Sequence, residues 1–194
     1  MVRPLKLRHI TCLPLLLCVA LSGCGGGMAR DDGQPENVVN SFPPGWTTAD
    51  EKYDADGDTI SYVPQGQTAD SWSEKLTFQT FKQAANIDPA GYLANMAALA
   101  KLHCASSNLL VKDPAKDANG LRIATGFLGC ARGSKSGQDE TTLFKVISGH
   151  QALYVGQIAK RSDPAKPSDR PNDAEVHDWE TLLDGFKVCH GNKC

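Results

Sequence analysis

Thr141-Thr142-Leu143-Phe144-Lys145-Val146-Ile147 and Ala152-Leu153-Tyr154-Val155-Gly156-Gln157-Ile158-Ala159-Lys160 are the stretch whose reading decides the fold. Both segments are rich in β-branched and aromatic residues, and only Ser148-Gly149-His150-Gln151 separates them, a connection short enough for a hairpin. Leu121 to Cys130 reads as a further strand ahead of them, so the three make an antiparallel meander. Towards the N-terminus, Leu109-Leu110-Val111 is a short strand. Before it, Asp88 can cap a helix and Pro89 has the fixed φ suited to a first helical position, which predicts a helix running to about Cys104. Tyr92, Met96, Leu99 and Leu102/His103 would form its inward stripe. Leu76 to Phe81 alternates apolar and polar residues as a half-buried strand does. Thr59 to Val63 is another strand, ended by Pro64-Gln65-Gly66. Towards the C-terminus, Ser162 to Asp173 is a proline-bearing linker. Asn172 with Glu175 is an amide variant of the capping box, opening a closing helix with Val176, Trp179, Leu183 and Phe186 on one face. The order of strands, helix, several strands and helix is α+β, with helices packed on an antiparallel sheet.

The N-terminal end has a different character. Arg3, Lys6 and Arg8 precede an apolar run from Ile10 to Ala20, the layout of a secretory signal and too short for a permanent transmembrane helix. The run ends in Leu21-Ser22-Gly23-Cys24, an aliphatic residue, two small residues and a cysteine. This tetrapeptide resembles the lipobox of bacterial lipoprotein precursors. The resemblance implies cleavage before Cys24, a diacylglycerol on its sulfur and acylation (palmitate, for example) of the freed amine. Residues 1–23 would then be a signal peptide, 24–44 a lipidated N-terminus and flexible tether, and 45–194 a single domain. Gly25 to Pro44 supports the tether reading with three consecutive glycines, a run of charged residues and no apolar periodicity. Gly25 follows the lipidated position where an aspartate commonly holds enteric lipoproteins in the inner membrane, so the resemblance implies an outer-membrane anchor facing the periplasm of a Gram-negative bacterium.

After Cys24 the chain keeps 17 of its 20 basic residues against 22 acidic ones, a net charge of −5. Phosphate backbones demand a basic surface, so nucleic acid is not an expected partner. Adhesion to anionic lipid by charge is not expected either, which leaves the acyl chains on Cys24 as the membrane attachment. Four cysteines remain beyond Cys24: Cys104, Cys130, Cys189 and Cys194. An even set in an exported chain reads as two disulfides with three possible connectivities. The near-neighbour pairs Cys104–Cys130 and Cys189–Cys194 are favoured, each across a plausible chain reversal.

The order of elements resembles the PsbP/Mog1 group of α/β/α sandwiches, and Phe42-Pro43-Pro44-Gly45-Trp46 is similar to the proline-glycine-tryptophan end of that group's first strand. The resemblance would span Ser41 to Val188. It implies a fold and no function, because the group serves unrelated roles.

Sites of chemistry are few. Asp54-Ala55-Asp56-Gly57-Asp58 resembles the start of a calcium loop, but an EF-hand needs glycine sixth and glutamate twelfth, and here Thr59 and Gln65 stand there. A glycine turn is the expected reading. Cys189-His190-Gly191-Asn192-Lys193-Cys194 could begin a zinc or copper site, yet its spacing matches no zinc finger, and a disulfide across the Gly-Asn turn is expected instead. Ser71, Ser73 and Ser148 lie outside any nucleophile elbow, and His103 and Cys104 point to different sides of a helix. His150 near Ser148 is an ordinary turn residue. Trp72 is either an exposed contact residue or the first core residue of the strand that follows. Glu175, Asp178 and Glu180 read as a solvated helix face. No catalytic set, metal site or cofactor is expected, and no binding residues can be named. The expected function is a lipid-anchored periplasmic module that binds another protein, as an envelope or secretion accessory or a toxin-immunity lipoprotein. The alternative is a small-ligand-binding or carrier lipoprotein, with a pocket between sheet and helix; a hydrolase ranks last.

Overall fold

A computed structural model of the chain describes residues 34–191 and Cys194. The lipobox with Cys24 and the stretch from Gly25 to Gly33 lie outside the described residues. The elements in chain order are β1 (Glu36–Val39), β2 (Trp46–Tyr53), β3 (Gly57–Pro64), β4 (Glu74–Phe81), α1 (Pro89–His103), β5 (Cys104–Val111), β6 (Ala115–Lys116), β7 (Arg122–Gly133), β8 (Asp139–Ser148), β9 (Leu153–Ser162), α2 (Asp173–Asp184) and β10 (Lys187–His190). The main sheet runs β2-β3-β4-β9-β8-β7-β5, with β6 beside β7, and β1 pairs with β10 in a separate two-stranded sheet. Every pairing is antiparallel. Helix α1 carries the chain from β4 across to the far edge, and the meander β7-β8-β9 returns to close against β4.

Each face of the sheet is covered by one helix, which makes the domain an α/β/α sandwich. On one face Trp179 and Leu183 of α2, with Phe186, pack against Leu76, Phe78, Leu143, Ile147 and Ile158. On the other, Leu93 and Ala100 of α1 pack against Ala124, Leu128, Phe144, Val146 and Val155. Side chains alternate between the faces of a strand, so β8 sends Leu143 and Ile147 towards α2, and Phe144 and Val146 towards α1. This two-sided burial is why Leu143 to Ile147 is almost continuously apolar. Lys145 is the exception, and its ammonium reaches the end of α2, where it donates to the Leu183 carbonyl at 2.9 Å. Glycines let both helices close on the strands: a Cβ on Gly126 would sit 2.9 Å from Leu93, and one on Gly156 would sit 2.9 Å from Phe186.

Both predicted caps form. The Asp88 carboxylate accepts from the Gly91 N–H at 2.8 Å, and Asn172 and Glu175 make the reciprocal capping box of α2. The face of α1 differs from the expected one. Leu93 and Ala100 are buried and Tyr92, Met96 and Ala97 are half-buried, whereas Leu99 and Leu102 are 50% and 75% exposed. The helix passes directly into β5, and a disulfide from Cys104 to Cys130 on β7 ties its end to the sheet. The inward face of α1, with Leu93 and Ala100, ends at that tie.

The expected tether to Pro44 is corrected in its second half. Glu36 to Val39 form β1, paired with β10 in the register Glu36↔His190 to Val39↔Lys187. Regular structure is therefore present ahead of residue 45. The Glu36 side chain is fully buried. It accepts from the backbone N–H of His150 at 2.7 Å and of Gln151 at 3.0 Å, and from the Tyr154 hydroxyl at 2.9 Å. A strand of four residues offers too little pattern to distinguish it from spacer. β2 also escaped the sequence reading: its polar, charged composition is that of an edge strand, shielded from further pairing.

Candidate functional site

The disulfide between Cys104 and Cys130, with Cα atoms 5.4 Å apart, sits at the floor of an open cleft. The cleft lies between the C-terminal half of α1, the sheet and the β7–β8 turn at residues 133–136, and has a volume of about 430 Å³; Met96, Leu99, Ala100 and Leu128 supply apolar lining, and His103 and Arg161 polar lining. Across the cleft the sheet is covered by Trp72, which is buried against Val63 and Ala159. Trp72 is thus a core residue.

Cations frame that indole. The Arg161 guanidinium lies 3.7 Å from the ring centroid and the Lys75 ammonium 4.4 Å from it. Arg161 also donates to Glu140 at 3.3 Å. Burial pushes the Lys75 ammonium below its ordinary pKa, and the Glu140 carboxylate opposes that push. The apolar side of the cleft continues onto the surface of α1 through Leu99, and Leu102 lies three residues further along the same helix. Leu110 and Val111, at the end of the edge strand β5, are also exposed. They border a separate hollow on the α2 side with Phe127, Leu143 and Val176, so the exposed apolar surface beside the cleft belongs to α1 alone.

A second hollow, about 580 Å³, lies between α2 and the segment Ser41 to Trp46. Ile158, Trp179 and Leu182 line it, and Glu74, Glu175 and Asp178 stand at its border. Phe42 stacks on Tyr62 with ring centroids 4.6 Å apart, so the Phe42-Pro43-Pro44-Gly45-Trp46 stretch is held against the sheet as it enters β2. Burial raises the Glu74 carboxyl above its ordinary range. Glu175 moves the opposite way, because Lys160 donates to it and Asn172 gives it a backbone N–H.

The remaining residues singled out by sequence take structural places. Cys189 is bonded to Cys194, so the near-neighbour connectivity is the one the structure has, and neither thiol is free for a metal. Asp54 closes the β2–β3 turn by accepting from the N–H groups of Asp56 at 3.0 Å and Gly57 at 2.9 Å, the glycine turn expected there. Ser148 accepts from Arg122 at 3.2 Å. His150 faces His190, their ring centroids 5.1 Å apart, and Glu36 completes that group. Sequence reasoning missed Glu36, and no local signal marks it.

No family model matches the chain, and no curated protein sequence matches it. Among solved structures, a mutant of the protein Mog1 is similar over 78% of this chain and 93% of its own, at 14% identity and a TM-score of 0.50. LpqN, described as involved in cell envelope biogenesis of Mycobacterium tuberculosis, is matched over 82% of this chain and 87% of its own, at 12% identity and a TM-score of 0.38. At such identities the first likeness concerns the fold alone: the domain has a Mog1/PsbP-like α+β architecture.

Proposed function

We propose that this chain is a lipid-anchored protein-interaction module of a Gram-negative envelope, acylated at Cys24 and held at the outer membrane facing the periplasm. The observation that carries the reading is the exposed apolar surface on the C-terminal half of α1. Leu99, 50% exposed, lines an open cleft of about 430 Å³, and Leu102, 75% exposed, stands three residues further along the helix. Apolar patches rimmed by polar groups mark interaction surfaces. The occupant is a second envelope protein that inserts an apolar side chain between α1 and the sheet. Cys24 precedes β1 by 12 residues. A chain of that length reaches at most about 40 Å, so the domain meets its partner near the bilayer surface. Catalysis is no part of this proposal.

Two measurements test it. Labelling with an alkyne palmitate should mark the wild-type chain and be lost in C24A, which should leave the membrane fraction. A photo-crosslinker at Leu102 should capture one stoichiometric protein in cells, and L99D should abolish the capture without changing the unfolding midpoint. Persistent labelling in C24A overturns the anchor, and crosslinks unaffected by L99D overturn the surface. The cleft also lies within the size range of small-ligand sites, which favours carriage as the second reading. Native mass spectrometry showing a bound molecule, displaced in L99D, would replace the first reading with that one.

A further inference from the structure

We propose that Glu36, His150 and His190 form a binding site for a first-row transition-metal dication of the zinc class. The three side chains come from distant parts of the chain. Glu36 and His190 are directly paired residues of β1 and β10, and His150 stands in the β8–β9 turn. One ligand atom from each lies within 4.8 Å of the other two; the two histidines are half-buried residues and the Glu36 side chain is fully buried. Nε2 of His190 is 3.6 Å from Oε1 of Glu36. Two ligands of a tetrahedral zinc ion, with bonds of 2.0–2.1 Å, stand about 3.3 Å apart. This edge of the coordination polyhedron is therefore nearly formed, and rotation of the two imidazoles brings in the third vertex.

The donor set selects the ion. Two imidazoles and one carboxylate suit zinc, copper, nickel or iron, whereas calcium and magnesium prefer all-oxygen sites. The Cys189–Cys194 disulfide withdraws the neighbouring sulfurs, which leaves nitrogen and oxygen as ligands. Glu36 is already oriented as a ligand's supporting contacts would orient it. The Tyr154 hydroxyl and the Gln151 N–H hold Oε2, at 2.9 and 3.0 Å, while Oε1 accepts the His150 backbone N–H at 2.7 Å and keeps its second lone pair for an ion beside His190. Three protein ligands leave a fourth position for water or for an outside ligand. A bound ion would clasp β1 and β10 to the turn of the main sheet.

The test uses the full chain without an affinity tag, extracted in detergent, freed of metal with EDTA and titrated with Zn²⁺ by calorimetry. One equivalent should bind, with the affinity reduced at least tenfold in H150A and in H190A and unchanged in H177A, whose histidine is exposed on α2. Zn²⁺ should raise the unfolding temperature of the wild type and not that of H150A. Because His150 sits in a turn, H150A remains informative if H190A fails to fold. Co²⁺ should give the absorption of a tetrahedral nitrogen–oxygen site. Zinc affinity equal in the wild type and H150A overturns the proposal, as does binding that disappears in H177A.

Discussion

Replacing Glu36 by alanine should destabilise the whole domain, although the residue lies in a stretch with the composition of a spacer. Its side chain is fully buried and accepts three hydrogen bonds, from the His150 N–H, the Gln151 N–H and the Tyr154 hydroxyl. Tyr154 is itself 4% exposed, and without Glu36 its hydroxyl loses its hydrogen-bond acceptor. An orphaned buried donor costs about 1–3 kcal/mol, and bonds to a charged acceptor contribute about 1.5–3 kcal/mol each before its desolvation is counted. The two backbone donors lie in a turn and can turn to water, so their loss costs less. The expected net is about 2–4 kcal/mol. For a domain of this size that lowers Tm by about 5–12 °C. E36Q keeps one acceptor but points an amide N–H at a donor, and should fall between E36A and the wild type. The assay is urea and thermal unfolding in EDTA, followed by far-ultraviolet circular dichroism. Burial pushes the Tyr154 hydroxyl above its ordinary pKa, with the Glu36 charge adding to the effect. In E36A the phenol should therefore titrate at lower pH. An E36A Tm within 2 °C of the wild type would refute the anchoring role of Glu36.

Three further outcomes are expected. Removing the Cys104–Cys130 bond, which closes a span of 26 residues, by C104S/C130S should cost roughly 3 kcal/mol in urea unfolding. Dithiothreitol should lower the wild-type midpoint and leave that of the double variant unmoved by this bond. E175Q removes the charge that meets Lys160 and should lower stability by about 0.5–1 kcal/mol at neutral pH. Glu175 is held below the ordinary glutamate range, so its contribution is complete above that range and is lost as the pH falls through the lowered value. The wild-type and E175Q curves should accordingly converge in acid. G156A places a methyl 2.9 Å from Phe186 and 3.2 Å from Leu183, which should cost about 1–2 kcal/mol as α2 is pushed off the sheet. Equal unfolding midpoints for G156A and the wild type would show that the interface relaxes freely.

The sequence alone determined the α+β class, because its signals are local. The meander of β7, β8 and β9 is carried by three apolar segments with short connections, and the start of each helix by a capping residue whose partner lies three positions away. Nearest-neighbour spacing likewise sufficed to favour Cys104–Cys130 and Cys189–Cys194. Tertiary structure decided what depends on distant partners. Leu99 looked inward by periodicity, yet packing turns Leu93 and Ala100 to the sheet and leaves it half-exposed. Trp72 could be read either way until Val63 and Ala159 closed over it. Glu36 is the extreme case. Nothing within several residues of it marks a strand or a buried carboxylate, because its partners stand more than a hundred positions away in the β8–β9 hairpin. Periodicity and capping report on one element's own geometry, whereas the burial of a single polar group is fixed only when the chain brings its remote donors together.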